Sequence, residues 1–86
     1  MKVAVIGGGT MGNGIAHVFA QHGNDVALID LKQEYLDRAL SAIEKNLGRQ
    51  VKKEKITEDD AKATLARLTP ATDLSAAGGS ELVVEA

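Results

Sequence analysis

Two periodicities alternate along this chain. Lys2 leads into Val3–Ile6, a continuous apolar run closed by glycine, the mark of a parallel strand covered on both faces. From Met11 the period changes to that of a helix. Ile15, Val18, Phe19 and His22 follow at helical spacing, which predicts a helix over Met11–His22, with Gly23 placed for a left-handed cap. Asp25–Asp30 is a second, mostly apolar strand. Leu36, Leu40, Ile43, Leu47 and Val51 then recur at spacings of 4, 3, 4 and 4, one narrow stripe on a helix over Gln33–Lys53. Gly48 weakens that helix by about 1 kcal/mol relative to Ala and predicts a bend or fraying there. Thr57 is placed as an N-cap, with Glu58, Asp59 and Asp60 in the first turn against the dipole and Ala61, Leu65 and Leu68 on one face. Pro70 ends this third helix and leaves Thr69–Thr72 only a short edge strand. Leu74–Ala77 can form a turn, Gly78-Gly79-Ser80 is a loop, and Glu81–Glu85 reads as the last strand.

The order is therefore β-α-β-α-α-β-turn-β, an α/β chain. Right-handed crossovers favour a parallel sheet ordered 3-2-1-4, with an extra helix between the second and third strands. The core must be built from Ala, Val, Leu and Ile, because the chain holds one Phe, one Tyr and no Trp. Without cysteine there is no disulfide or thiolate chemistry. A net charge of −2 gives no footprint for nucleic acid. No apolar run approaches the roughly 20 residues that span a bilayer, and Val3–Ile6 is too short for a signal peptide. A cytoplasmic protein, or one of an organelle matrix, is the default expectation.

The loop between the first strand and the first helix carries the chemistry. It reads Gly7-x-Gly9-x-x-Gly12, and the second strand ends in an acid, Asp30, 18 residues past Gly12. Gly7 permits the tight turn, Gly9 lets the backbone approach a pyrophosphate, and Gly12 lets the helix lie close on the sheet. The helix N-terminus supplies free N–H groups to the phosphates, and the acid accepts a ribose hydroxyl. A βαβ unit whose glycines serve only packing accounts for Gly12, Ala16 and Gly23 but not for Gly7 and Gly9. The pattern is that of the first half of a Rossmann, doubly wound dinucleotide-binding domain. With 86 residues the chain has room for little more than that half, and we expect residues 1–86 to be a truncated N-terminal part of a larger enzyme.

The whole chain resembles the N-terminal, NAD-binding part of the 3-hydroxyacyl-CoA dehydrogenase family, which includes 3-hydroxybutyryl-CoA dehydrogenases. The resemblance rests on Val5-Ile6-Gly7-Gly8-Gly9-Thr10-Met11-Gly12-Asn13-Gly14-Ile15-Ala16, on Leu28-Ile29-Asp30, on Leu82-Val83-Val84-Glu85-Ala86, and on the long, Lys-ended second helix followed by another helix. It implies oxidation of a 3-hydroxyacyl-CoA to the 3-ketoacyl-CoA with hydride passing to NAD, in fatty-acid or butanoate metabolism. It further implies that Gly7, Gly9, Thr10, Met11 and Gly12 hold the pyrophosphate, that Asp30 holds the adenosine ribose, and that the backbone at Ala86 begins to pass the cofactor. The family's catalytic histidine and glutamate lie in the second half of the nucleotide-binding domain, and a helical C-terminal domain supplies its dimer. None of these matches this chain, so no residue here is expected to be catalytic. His17 is expected to face solvent, His22 to sit at a helix C-terminus, and Glu85 to belong to the strand. Arg49, Lys52, Lys53 and Lys55 cluster at the end of the second helix, where related enzymes contact CoA, and Lys53 is the candidate for a CoA phosphate, set against a plain solvated face.

Two rival readings use the same residues. The 3-hydroxyisobutyrate and 6-phosphogluconate dehydrogenases share a Gly-Thr-Met-Gly-like turn, but take a shorter excursion after the second strand and often use NADP through an Arg there. Here Leu31 and Lys32 follow Asp30, whose charge favours NAD, while Lys32 leaves NADP open. A flavin module commonly carries Glu at the Asp30 position. A third expectation is of another kind: a non-catalytic half-domain that forms homo-oligomers through an open sheet edge at Leu82–Ala86.

Overall fold

The computed structural model describes residues 1–86. Its strands are β1 (Lys2–Ile6), β2 (Asp25–Ile29), β3 (Leu68–Ala71) and β4 (Leu82–Glu85), and its helices α1 (Thr10–Gln21), α2 (Gln33–Lys52) and α3 (Glu58–Ala66), with a 3-10 turn at Leu74–Ala77. All strand pairs are parallel, in the order β3-β2-β1-β4. The expected order, the extra helix and the edge position of the Pro70 strand are all present.

Strand alternation sorts the core into two layers. Val3, Val5, Val26, Leu28 and Leu68 point to the face carried by the helices, where they meet Ala16, Ala20, Leu36, Ala39, Ile43 and Leu47. Ala4, Ala27 and Ile29 point to the other face, where Ala76 and Ala77 of the 3-10 turn pack. Small side chains at 4 and 27 let that turn lie close to the sheet. Thr57 caps α3 in both directions: its hydroxyl accepts from the Asp60 N–H and its own N–H donates to the Asp60 carboxylate, each at 3.1 Å. The Arg67 guanidinium donates to the Ala20 carbonyl at 2.9 Å and so satisfies the open end of α1.

The structure corrects four local expectations. α1 buries Gly12, Ala16, His17 and Ala20, while Met11 and Val18, on the stripe counted from Met11, are exposed. His17 does not face solvent. It is 8% exposed, and its Nε2 donates to the Gln21 Oε1 at 2.8 Å, the Gln21 amide in turn donating to the Gln50 Oε1 at 2.7 Å. That chain of amides ties α1 to α2 and supplies the partner a buried imidazole needs. α2 runs unbroken through Gly48 to Lys52 because its buried stripe docks on the sheet regardless of local propensity. Leu68 leaves α3, which ends at Ala66, and starts β3 instead.

Candidate functional site: a glycine turn at the carboxyl edge of the sheet

β1 ends at Ile6 and the chain reverses through Gly7, whose φ of +109° only glycine adopts without strain. The Gly7 N–H donates to the Ile29 carbonyl at 2.7 Å, so the turn starts in the crevice between β1 and β2. A Cβ on Gly7 would stand 2.9 Å from the Ala86 carbonyl oxygen, and one on Gly12 would collide with the Gly7 carbonyl. The first and third glycines are thus required by the protein itself. Gly12 is needed for contact with the turn more than with the sheet.

Gly9 behaves differently. Its φ of −71° suits any residue, and a Cβ there would meet nothing within 4 Å. It is the N-cap of α1 but has no side chain to cap with, so the first N–H groups of this 12-residue helix, from Thr10 to Gly12, receive no side-chain cap. No packing in the chain requires a glycine here, and an uncapped helix end of this kind can receive an anion.

Asp30 sits across the turn. Its Oδ2 accepts from the Gly8 N–H at 2.8 Å and its Oδ1 from the Lys32 N–H at 3.1 Å. These two backbone donors, Gly8 first, hold the carboxyl below the ordinary carboxylate range. Two of roughly four acceptor positions are used, leaving the others for a hydroxyl pair. Ala86 closes the far side: its N–H donates to the Ile6 carbonyl at 2.9 Å, and its own carbonyl lies on Gly7. Gly7, Gly9, Thr10, Met11, Gly12, Asp30 and Ala86 therefore meet around one turn.

Lys53 does not join them. It is the C-cap of α2, its N–H donating to the Arg49 carbonyl. At about 1.5 Å per residue the axis carries it about 27 Å from Tyr35, the α2 residue that touches Gly8. Two apolar residues escaped the sequence reading. Leu31 and Leu74 join Ile6 and Ile29 around a cleft of about 220 Å³ that opens beside Gly7 and Asp30. A flat apolar ring bound next to a ribose would lie in it. Leu31, an exposed leucine directly after the acid, was the available signal.

The sequence matches the family model described as 3-hydroxyacyl-CoA dehydrogenase, NAD binding domain, over residues 2–86. Across 84 residues the chain is 48% identical to 3-hydroxyadipyl-CoA dehydrogenase of Escherichia coli, covering 98% of this chain and 18% of that protein. Across 86 residues it is 50% identical to a probable 3-hydroxybutyryl-CoA dehydrogenase of Deinococcus radiodurans, covering 100% of this chain and 31% of that protein. Among solved structures, (S)-3-hydroxybutyryl-CoA dehydrogenase from Ralstonia eutropha superposes with a TM-score of 0.96 at 35% identity, over 99% of this chain and 30% of that one. The chain therefore spans about a fifth to a third of the length of these relatives. The match decides between the dehydrogenase classes that share the glycine turn: this chain belongs to the 3-hydroxyacyl-CoA dehydrogenase NAD-binding domain family.

Proposed function

We propose that this chain is the adenosine- and pyrophosphate-binding part of an NAD-dependent dehydrogenase that oxidises a 3-hydroxyacyl-CoA, such as 3-hydroxybutyryl-CoA, to the 3-ketoacyl-CoA. The observation that carries the cofactor half is Gly9, a glycine no neighbour requires, at an uncapped helix end facing the Asp30 carboxylate. Gly7 shapes the turn that receives the pyrophosphate, Gly9, Thr10, Met11 and Gly12 hold it through the backbone at the start of α1, Asp30 accepts the ribose hydroxyls, and Leu31 and Leu74 flank the adenine. The Asp30 charge selects NAD over NADP. Bound NAD supplies the hydride acceptor, while the chain's own groups orient and hold its adenosine half. Titration of the chain with NAD, followed by amide NMR shifts, is expected to move Gly8–Asn13 and Asp30–Lys32. Shifts confined to other residues would refute the assignment.

The substrate half rests on α2. Ala42, Asn46, Arg49 and Lys53 recur at spacings of 4, 3 and 4, one helix face leading away from the glycine turn, and the Arg49 guanidinium donates to the Asn46 Oδ1 at 3.0 Å. Lys53 at the end of that face is the proposed contact for a CoA phosphate. The chain contains no base placed to take the hydroxyl proton, so purified residues 1–86 are expected to show no oxidation of 3-hydroxybutyryl-CoA. A measurable rate would overturn that expectation. The open β4 edge is proposed as the surface through which the 86-residue chain pairs with a second copy.

A further inference from the structure

We propose that α2 carries a second surface for self-association, where two copies of this chain cross antiparallel at Gly48. Each α2 is then seated in the groove between α2 and α3 of the other copy. The contact is independent of the dinucleotide reading and of the β4 edge. α2 and α3 meet β3, the edge strand on the opposite side of the sheet from β4.

The groove has a volume of about 540 Å³ and an apolar floor, made by Leu47 and Val51 of α2 and Ala61 and Leu65 of α3. Ala61 and Leu65 are only partly buried against the core beneath it. Gly48 lies between the two α2 residues, exposed, with nothing within 4 Å of its Cβ position. Glycine weakens a helix interior relative to alanine, and no contact inside the chain offsets that loss. What a glycine offers there is room for another backbone to come close.

Charge identifies the occupant. The rim of the groove carries Glu44 and Lys52 on α2 and Glu58 and Lys62 on α3, all exposed, with no net charge to repel a copy. Glu44 and Lys52 stand four residues to either side of Gly48, on its face of the helix and about 6 Å from it along the axis. A two-fold axis through Gly48 therefore sets Glu44 of each copy level with Lys52 of the other, and the contact repeats itself. A partner of one charge sign meets like charge at one end of this face. A second copy, running the other way, meets opposite charge at both ends.

The test is sedimentation velocity of the 86-residue chain at micromolar concentration, with Val83→Lys present throughout to disable the β4 edge. That chain is expected to keep a monomer–dimer equilibrium. Glu44→Lys and Lys52→Glu, each alone, set like charges level with one another and are expected to raise the dimer Kd about tenfold. An equimolar mixture of these two variants is expected to recover the pairing, because every charge across the axis again meets its opposite. Gly48→Ala is expected to keep the far-UV circular dichroism of a folded chain and yet to dimerise less tightly. The proposal is overturned if the Val83→Lys chain is purely monomeric, if neither charge reversal weakens its dimer, or if the mixture stays as weak as its components. It is equally overturned if the Gly48→Ala chain pairs as tightly as the chain with glycine.

Discussion

Gly9 and Gly12 stand three residues apart in one motif, yet the structure gives them opposite reasons for lacking a side chain. A methyl group on Gly12 collides with the Gly7 carbonyl, a backbone atom that cannot step aside, so Gly12→Ala is expected to destabilise the chain by about 3 kcal/mol or more. Gly9→Ala meets open space at an ordinary φ, and its unfolding midpoint is expected to change by less than about 0.5 kcal/mol while NAD-induced shifts weaken. Urea melts and NAD titrations of the two variants separate folding from binding. A large stability loss for Gly9→Ala would show that the protein, not a ligand, demands that glycine. Asp30 makes a pH prediction at the same scale. Its carboxyl is held below the ordinary range in the folded chain, chiefly by the Gly8 N–H, and returns to about 3.9 when unfolded. The unfolded chain therefore binds more protons between those values. The stabilisation from Asp30 is fully present above about pH 4 and is lost as pH falls through the folded value. Asp30→Asn is expected to flatten the acid limb of a plot of urea midpoint against pH. An unchanged limb would refute the coupling.

Along α2 and the turn that follows, glycine is found where the helix does not need it and is missing where the backbone would favour it. Gly48 lies inside α2 with nothing within 4 Å of its Cβ position, so Gly48→Ala is expected to stabilise the chain by about 1 kcal/mol. Glu54, just past the helix end, carries a φ of +58°, and Glu54→Gly is expected to relieve up to about 1 kcal/mol of left-handed strain. Thermal unfolding of both variants checks this. A lower melting temperature for Gly48→Ala would mean the gap at 48 serves a purpose that packing does not show. The contrast also marks how far the sequence could be read. β1, the glycine turn, β2 and Asp30 were legible because apolar runs, glycine spacing and a terminal acid are local signals. The Thr57 cap with Asp60 three residues on was legible for the same reason. His17 was not, since its burial depends on Gln21 one turn away and then on Gln50 in another helix, 29 residues beyond Gln21. Leu31 and Leu74 lie 43 residues apart and meet only once β2 and the 3-10 turn are placed. Met11 and Val18 follow the period of a buried stripe, yet the register of α1 on the sheet is set by its small residues Gly12, Ala16 and Ala20.

At the scale of the molecule, the layers are unequal across the sheet. β2 and β1 have a strand on each side, whereas β4 pairs only with β1 and carries Val83, 51% exposed, on the face of Ala4 and Ala27. Leu82 and Val84 lie in register with Val3 and Val5, on the helix face, where Leu82 is also exposed. α1 adds Met11, Ile15, Val18 and Phe19 around an open apolar hollow. A parallel strand with one free row of N–H and C=O groups and apolar side chains on both faces is a template for another strand. An apolar patch of this kind also favours association over solvation. The 86-residue chain is therefore expected to form dimers or larger assemblies at micromolar concentration, measured by sedimentation velocity. Placing a charge on the open strand, as in Val83→Lys, is expected to shift the distribution towards monomer while leaving far-UV circular dichroism unchanged. A single monomeric species for the unmodified chain would show that this four-stranded sheet is self-sufficient and that its β4 edge does not drive pairing.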